Sequence, residues 1–212
     1  MKISWLGHAA FLLETTSGTK IITDPYQTGS YSGAVKYDPI NIKPNIVTVS
    51  HQHFDHNYID KMRGANIVDK EGVYKILDVE IEGILSYHDN KKGAERGKNI
   101  IFIIKADNLK VVHFGDLGTT DLNYEKLKDI DVAFLPVGGT FTIDASYATA
   151  ILEKINPRIT IPMHFKTKKL LFDIDPVDIF LKDKDFDERT TIEVNISNIN
   201  SFKKIVLLQH LR

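Results

Sequence analysis

Cysteine is absent from the 212 residues, which excludes disulfides, thiolate metal ligands and a cysteine nucleophile. Charge of either sign is not in excess. The 27 Lys and Arg against 28 Asp and Glu give a formal net charge of −1, so the global basic footprint of a nucleic-acid binder is missing. No apolar run approaches the roughly eighteen residues that a membrane span requires. The opening Met1-Lys2-Ile3-Ser4-Trp5 runs into Gly7-His8 without the long apolar stretch of a secretion signal, and a cytoplasmic protein without membrane partners is expected. There is no low-complexity tract and no break in composition. A hydrophobic content of 42% is enough for a substantial core, and one domain spanning residues 1–212 is expected.

Against this ordinary background one segment stands out. His51-Gln52-His53-Phe54-Asp55-His56 follows the apolar run Ile46-Val47-Thr48-Val49-Ser50. With eight His and nineteen Asp in the chain, the pattern H-x-H-x-D-H arises by chance in about one such chain per thousand. Imidazole and carboxylate are the ligands that hold zinc and related divalent ions. In an extended segment, residues two apart point to the same side, so His51 and His53 can close on one ion. Asp55 and His56 fall where a helix is expected, Asn57 to Met62, and would swing towards a second ion. An open catalytic ion typically keeps three protein ligands plus water, so two ions are the natural reading.

The first half of the chain reads as short strands: Lys2 to Leu6, Phe11 to Thr15, Lys20 to Thr23 and Ile46 to Ser50. Residues 26–45, rich in Gly, Ser, Tyr, Asn and Pro, read as a long loop rimming the site. Further strands are expected over Val79 to Tyr87, Ile100 to Lys105, Leu109 to Phe114, Asp131 to Val137, Arg158 to Ile161, Thr191 to Ile196 and Lys203 to Leu208. Helices are expected over Asp121 to Lys128, over Asp144 to Ile155 and briefly after Pro176. The apolar stripe Ala145, Ala148, Ile151, Leu152 and Ile155 marks the second of these, and Asn156-Pro157 stops it. Strands outnumber helices, and polar residues gather where strands end. That is the layout of a sheet scaffold carrying a site on its edge loops.

Three more ligand-type residues sit at or just beyond strand ends: His88, Asp116 and His164. Asp116 lies in Phe114-Gly115-Asp116-Leu117-Gly118, whose glycines permit close backbone approach. With the cluster they make seven ligands, enough for two ions sharing a carboxylate. In order and spacing, Asp24, His51/His53/Asp55/His56, His88, Asp116 and His164 resemble the metallo-β-lactamase superfamily over nearly the whole chain. Trp5-Leu6-Gly7-His8-Ala9, Thr23-Asp24-Pro25, Pro136-Val137-Gly138-Gly139-Thr140-Phe141-Thr142 and Ile161-Pro162-Met163-His164-Phe165 look like its small stand-alone metal-dependent hydrolase branch.

The resemblance implies an α/β fold, a four-layer αββα sandwich with the site along one edge. It also implies one ion on His51, His53 and His88, a second on Asp55, His56 and His164, and Asp116 bridging. Asp24 would steady a ligand rather than bind metal. His8 is a candidate for a direct catalytic role beside Asp55, whereas His113 and His210 read as structural. The absence of cysteine separates the chain from β-lactamases that use a Cys ligand. His53 stands where flavodiiron relatives carry Glu.

The leading expectation is a dinuclear hydrolase of a small-molecule ester, lactone or phosphodiester. Asp55 would orient the nucleophile and carry its proton. The cofactor would be two divalent ions, zinc by preference, with Mn2+, Fe2+ or Ni2+ also compatible with such ligands. One alternative is a nucleic-acid phosphodiesterase gripping phosphates with Lys166, Lys168 and Lys169. Another is a metal-binding module without catalysis. Lys91, Lys92, Arg96 and Lys98 form a second basic run, read foremost as solvated loop charge. Neither substrate nor oligomeric state is legible, and an oligomer is compatible with everything above.

Overall fold

A computed structural model describes residues 1–211. Two β-sheets pack face to face. The six-stranded sheet contains β1 (Lys2–Gly7), β2 (Ala10–Glu14), β3 (Lys20–Thr23), β4 (Ile46–Thr48), β5 (Asn66–Val68) and β13 (Thr191–Glu193), in the order β13-β1-β2-β3-β4-β5. The eight-stranded sheet contains β6 (Gly72–Ile76), β7 (Val79–Tyr87), β8 (Lys98–Ala106), β9 (Leu109–His113), β10 (Val132–Pro136), β11 (Ile159–Met163), β12 (Phe186–Arg189) and β14 (Ile205–Leu208). Its order is β12-β14-β11-β10-β9-β8-β7-β6. The strands from β9 through β12 run parallel, while β6 to β9 form an antiparallel meander.

Alternation along the strands explains the layering. Ile3 and Trp5 of β1, Phe11 and Leu13 of β2, Ile21 of β3 and Ile46 of β4 enter the core between the sheets. Their neighbours Leu6, Leu12, Ile22 and Val47 point the other way into a second core, as a side-chain period of two requires. Phe11 and Phe134 stack at 4.0 Å with ring planes 12° apart, pinning one sheet to the other. The outer face of the six-stranded sheet is covered by loop residues, among them Tyr26, Val35, Tyr37, Ile40 and Leu170. The expected rim loop is therefore also a structural cover.

The architecture is the expected α/β sandwich, with few helices. The helix Ala145–Ile155 begins at Asp144, whose side chain accepts from the N–H groups of Ser146 and Tyr147. It ends at Asn156 in the left-handed conformation, as the sequence indicates. A short helix, Val177–Leu181, follows Pro176. Among the described residues no helix is long and apolar enough to cross a membrane.

Two expected helices do not form. Over Asn57 to Met62 the chain makes turns only, because the Tyr58 N–H is taken by the Pro25 carbonyl at 2.8 Å and the segment is tied to its neighbour. Asp121 to Lys128 contains only two overlapping turns, closed by the bonds from the Lys126 N–H to the Asn123 carbonyl and from the Leu127 N–H to the Tyr124 carbonyl. Carbonyls that a longer helix could use, those of Lys126 and Lys128, accept the Lys110 ammonium instead. The charged strand β12 and the meander strand β6 carry no strong alternation and escaped the sequence reading.

Candidate metal centre

Six strand ends deliver the polar residues to one edge of the sandwich. His8 follows β1, Asp24 follows β3, His88 follows β7 and His164 follows β11 directly; His51 to His56 begin three residues beyond β4, and Asp116 lies three beyond β9. His8, Asp24 and His164 take positive φ values of 53°, 37° and 51°, a conformation that non-glycine residues adopt at a cost. The chain turns sharply at each sheet margin so that the side chain faces inward.

Asp116 is the focus. Its Oδ2 lies 3.2 Å from His56 Nε2, 3.2 Å from His88 Nε2, 3.3 Å from His164 Nε2 and 3.7 Å from His51 Nε2. Two groups of ligating atoms flank it. His51, His53 and His88 can share one ion, and Asp55, His56 and His164, with His8, can share another; in each group the atoms lie within 4.8 Å of one another. All seven sequence-selected ligand candidates are thus brought together. Apart from half-buried His53, all of them are buried.

Hydrogen bonds behind the site set the imidazole tautomers. Asp24 accepts the Ser50 N–H at 2.7 Å, the Ser50 hydroxyl at 2.5 Å and His56 Nδ1–H at 2.9 Å. Ser50 Oγ, having given its proton to Asp24, accepts His51 Nδ1–H at 2.9 Å. His51 and His56 are thereby left with Nε2 aimed at the centre, the nitrogen that a bound ion would take in its unprotonated form. His113 is fixed the other way. Its Nδ1 accepts the Gly115 N–H and its Nε2–H donates to the Ala9 carbonyl, so it holds the Asp116 loop and faces away from the centre. Asn99 completes that loop, accepting the Asp116 N–H at 3.0 Å and donating to the Phe114 carbonyl at 2.9 Å. Gly118 has to be glycine, since a Cβ there would meet the His88 carbonyl oxygen at 2.2 Å.

Charge in the site calls for a cation. Asp24, Asp55 and Asp116 are buried, and among the described residues no Lys or Arg pairs with any of them. Burial opposes ionisation of Asp116, yet His164 and His56 outweigh it and hold the carboxyl well below its ordinary range. Asp55 is lowered in the same manner by His56 and His8 against burial. Burial likewise opposes a charge on His56, but Asp116 and Asp55 drive it well above its ordinary value, so a proton there neutralises the cluster. His51 is pushed well below its ordinary value by burial and by His56. The buried atoms His51 Nε2, His56 Nε2, Asp55 Oδ1 and Asp116 Oδ1 have no hydrogen-bond partner. Unpartnered buried nitrogen and oxygen atoms around ionised carboxylates fit divalent metal ions, which would displace the His56 proton.

His8 is fully buried behind Asp55, with Nε2 at 3.0 Å from Asp55 Oδ2, and its ring is 4.3 Å from that of His164. Burial and His164 lower it to about 4 against the pull of Asp55, so the ring is neutral at pH 7. His210 lies away from the centre, edge-on to Trp5 and Tyr37.

A cavity of about 360 Å³ opens onto His53, Asp55, His88, Asp116 and His164, walled by Tyr31, Phe141, Phe172 and Arg96. The sequence reading did not select these four for the site, although Tyr31 lies in the rim loop and Phe141 in the Gly138-Gly139 motif. Tyr31 and Ser32 occupy consecutive left-handed positions, φ 52° and 56°, between Gly29 and Gly33. Partial burial and the Asp55 carboxylate push the Tyr31 phenol up to about 12, which keeps it protonated. Of the other lysine run, Lys166 turns inward to the Phe172 carbonyl and Lys169 pairs with Asp38 at 3.2 Å.

Relatives carry the same chemistry in their names. Residues 2–164 match the family described as the Beta-lactamase superfamily domain. A UPF0173 metal-dependent hydrolase of Pyrobaculum islandicum is 34% identical over 199 residues, covering 81% of this chain and 87% of that protein. One from Archaeoglobus fulgidus is 34% identical over 213 residues, with 84% and 88% covered. The crystal structure of a Thermotoga maritima protein, described as a candidate Zn-dependent hydrolase of the metallo-β-lactamase superfamily, superposes with a TM-score of 0.77 at 35% identity, over 98% of this chain and 97% of that one. The match over residues 2–164, together with relatives 34–35% identical over most of the chain, places this protein, with its loop of imidazoles at the rim of a two-sheet sandwich, in the metallo-β-lactamase superfamily, among its UPF0173 metal-dependent hydrolases.

Proposed function

We propose that the protein is a dinuclear hydrolase of small-molecule substrates, with one ion on His51, His53 and His88, a second on Asp55, His56 and His164, and Asp116 between them. The observation that carries this reading is the approach of four Nε2 atoms, from four separate histidines, to the single oxygen Asp116 Oδ2 within 3.7 Å. When bound, divalent ions at such a site lower the pKa of water to about 7 and polarise a carbonyl or phosphoryl oxygen. Zinc suits the nitrogen-rich set, though Mn2+, Fe2+ and Ni2+ find acceptable ligands here too.

The chain's own residues supply the remainder. Asp55, held ionised and anchored through Oδ2 to His8, presents Oδ1 without a partner. In that state it accepts a proton from the nucleophile and passes it to the leaving group. His8 acts through Asp55, fixing the carboxylate's orientation. Tyr31, protonated and lining the cavity, donates a hydrogen bond to an oxygen that gains charge. The cavity of about 360 Å³ is of small-molecule size, which supports a compact substrate over a polymer. The bond cleaved is an ester, a lactone or a phosphodiester.

Elemental analysis of the purified protein, then turnover of an ester, lactone and phosphodiester panel with and without chelator, tests the reading. Two metal equivalents per chain and chelator-sensitive hydrolysis are expected. Asp55→Ala or His51→Ala should abolish turnover while leaving the fold largely intact. One equivalent, or full activity in either variant, contradicts it.

A further inference from the structure

Among the described residues Arg96 is the one Lys or Arg lining the cavity, and the loop that carries it is tied down by hydrogen bonds. Asp89, directly after His88, accepts four backbone N–H groups: Lys91 at 2.7 Å, Gly93 at 2.9 Å, Glu95 at 3.0 Å and Arg96 at 2.7 Å. The backbone of Arg96 is therefore clamped to the residue beside a metal-ligand candidate. Gly93 and Gly97 close the loop tightly, with the Gly97 N–H donating to the Gly93 carbonyl at 3.0 Å. The guanidinium sits 5.8 Å from the centre of the Phe141 ring. Among the described residues no carboxylate is paired with it, although the neighbouring Lys91 is paired with Glu95.

Beside Arg96 the cavity wall is aromatic. Phe172 stands edge-on to Phe141 at 5.8 Å and to Tyr31 at 5.4 Å, and exposed Phe54 continues the apolar rim, 6.5 Å from Tyr31. Arg96 and His53 also line a second cavity of about 490 Å³, on whose wall Lys70 and Lys98 lie. An apolar slot with one unpaired guanidinium at its margin reads a particular shape of ligand. An apolar group fills the slot, and an oxyanion meets the planar fork of Arg96.

We propose that Arg96, Phe141, Phe172 and Tyr31 form a substrate subsite that selects esters bearing an aryl or acyl body and a separate carboxylate or phosphoryl group. This rests on the hydrolase reading for the reaction and adds the substrate class. The basic run read foremost as solvated loop charge thereby acquires, at Arg96 alone, a function.

The test compares matched pairs on the metal-loaded protein: a neutral aryl ester, the same ester with a distal carboxylate, and the same ester with a distal phosphoryl group. The wild type is expected to prefer the charged members through KM. Arg96→Ala should raise KM for charged esters by about ten- to a hundredfold, the worth of a charge-assisted contact, well beyond any change for the neutral ester. Arg96→Lys should recover part of the preference, and added salt should erode it. The carboxylate and phosphoryl arms identify which oxyanion is preferred. A second readout is independent of turnover: calorimetric binding of non-cleavable aryl carboxylates and aryl phosphonates, tighter to wild type than to Arg96→Ala by the same factor. Equal KM values for charged and neutral esters, or a preference and binding unaltered in Arg96→Ala, overturn the subsite and leave the hydrolase reading intact. Absence of turnover with every ester, alongside Arg96-dependent binding, counts against the hydrolase reading and leaves the subsite standing.

Discussion

The carbonyl of His8 accepts the backbone N–H of His164 at 3.3 Å, joining two left-handed residues that end strands of opposite sheets. The Trp5 indole N–H donates to the same carbonyl at 3.0 Å. The backbone is thereby locked where the His8 ring must reach Asp55, and substitutions at His8 can be read as losses of side-chain function.

His8→Asn is expected to lower kcat by about 10²-fold or more, in the range of general acid–base effects, with little change in metal content. Asn tolerates the positive φ better than most residues, so backbone strain stays small. Steady-state kinetics beside metal analysis checks this. An unchanged kcat, or loss of metal in step with activity, removes His8 from its role behind Asp55.

Asp24 touches no substrate cavity, yet it orients His56 directly and His51 through Ser50. Asp24→Ala is expected to weaken metal binding by about 10- to 100-fold, the usual effect of losing a ligand's hydrogen-bond partner. Asp24→Asn, which keeps an acceptor for the Ser50 N–H, should lose less. Competition against a calibrated chelator measures both.

The metal-free protein should be acid-labile in a defined order. His8, lowered to about 4 by burial and by His164, binds a proton in the unfolded chain near pH 6.5 but not in the folded one until about pH 4. Between these values the unfolded state holds more protons, so stability falls as pH falls. Asp24, Asp55 and Asp116, all lowered, contribute stability that is present above the ordinary carboxylate range and lost in stronger acid. His56, which is raised, works in the other direction: its contribution is complete below about pH 6.5 and fades in alkali. Thermal melts of apo protein across pH should show a maximum near neutrality, and stability rising steadily into acid would contradict these assignments.

Gly118→Ala should destabilise by about 1–3 kcal/mol, the range for overpacking a filled interior, because its new methyl meets the His88 carbonyl. Since that carbonyl belongs to a ligand candidate, metal affinity should fall along with Tm. A lower Tm with unaltered metal affinity would show that the strain is absorbed elsewhere.

Much of the site was legible because its ligands sit where apolar runs end. His88 closes Val79 to Tyr87, His164 closes Ile159 to Met163, and the His51 loop follows Ile46 to Thr48. Chain order and residue type identified them without any contact information. Tyr31, Phe141, Phe172 and Arg96 were not singled out for the site because aromatic and basic residues in loops carry no periodicity, and only the tertiary fold brings positions 31, 96, 141 and 172 to one cavity. The helix expected over Asn57 to Met62 failed for a related reason. A polar stretch with helix-compatible residues is tied at Tyr58 to a partner 33 residues upstream, the Pro25 carbonyl, through a bond that no local pattern announces.

Ownership of the ligand candidates is divided between the sheets. His51, His53, Asp55 and His56 hang from the six-stranded sheet, whereas His88, Asp116 and His164 hang from the eight-stranded one. Each proposed half-site would thus be a handshake between the two leaves, and neither leaf alone offers all three of its candidate ligands. Small slippage at the Phe11–Phe134 stack would misalign both groups of candidates together, so interior packing far from the rim would govern how well the proposed pair of ions is gripped.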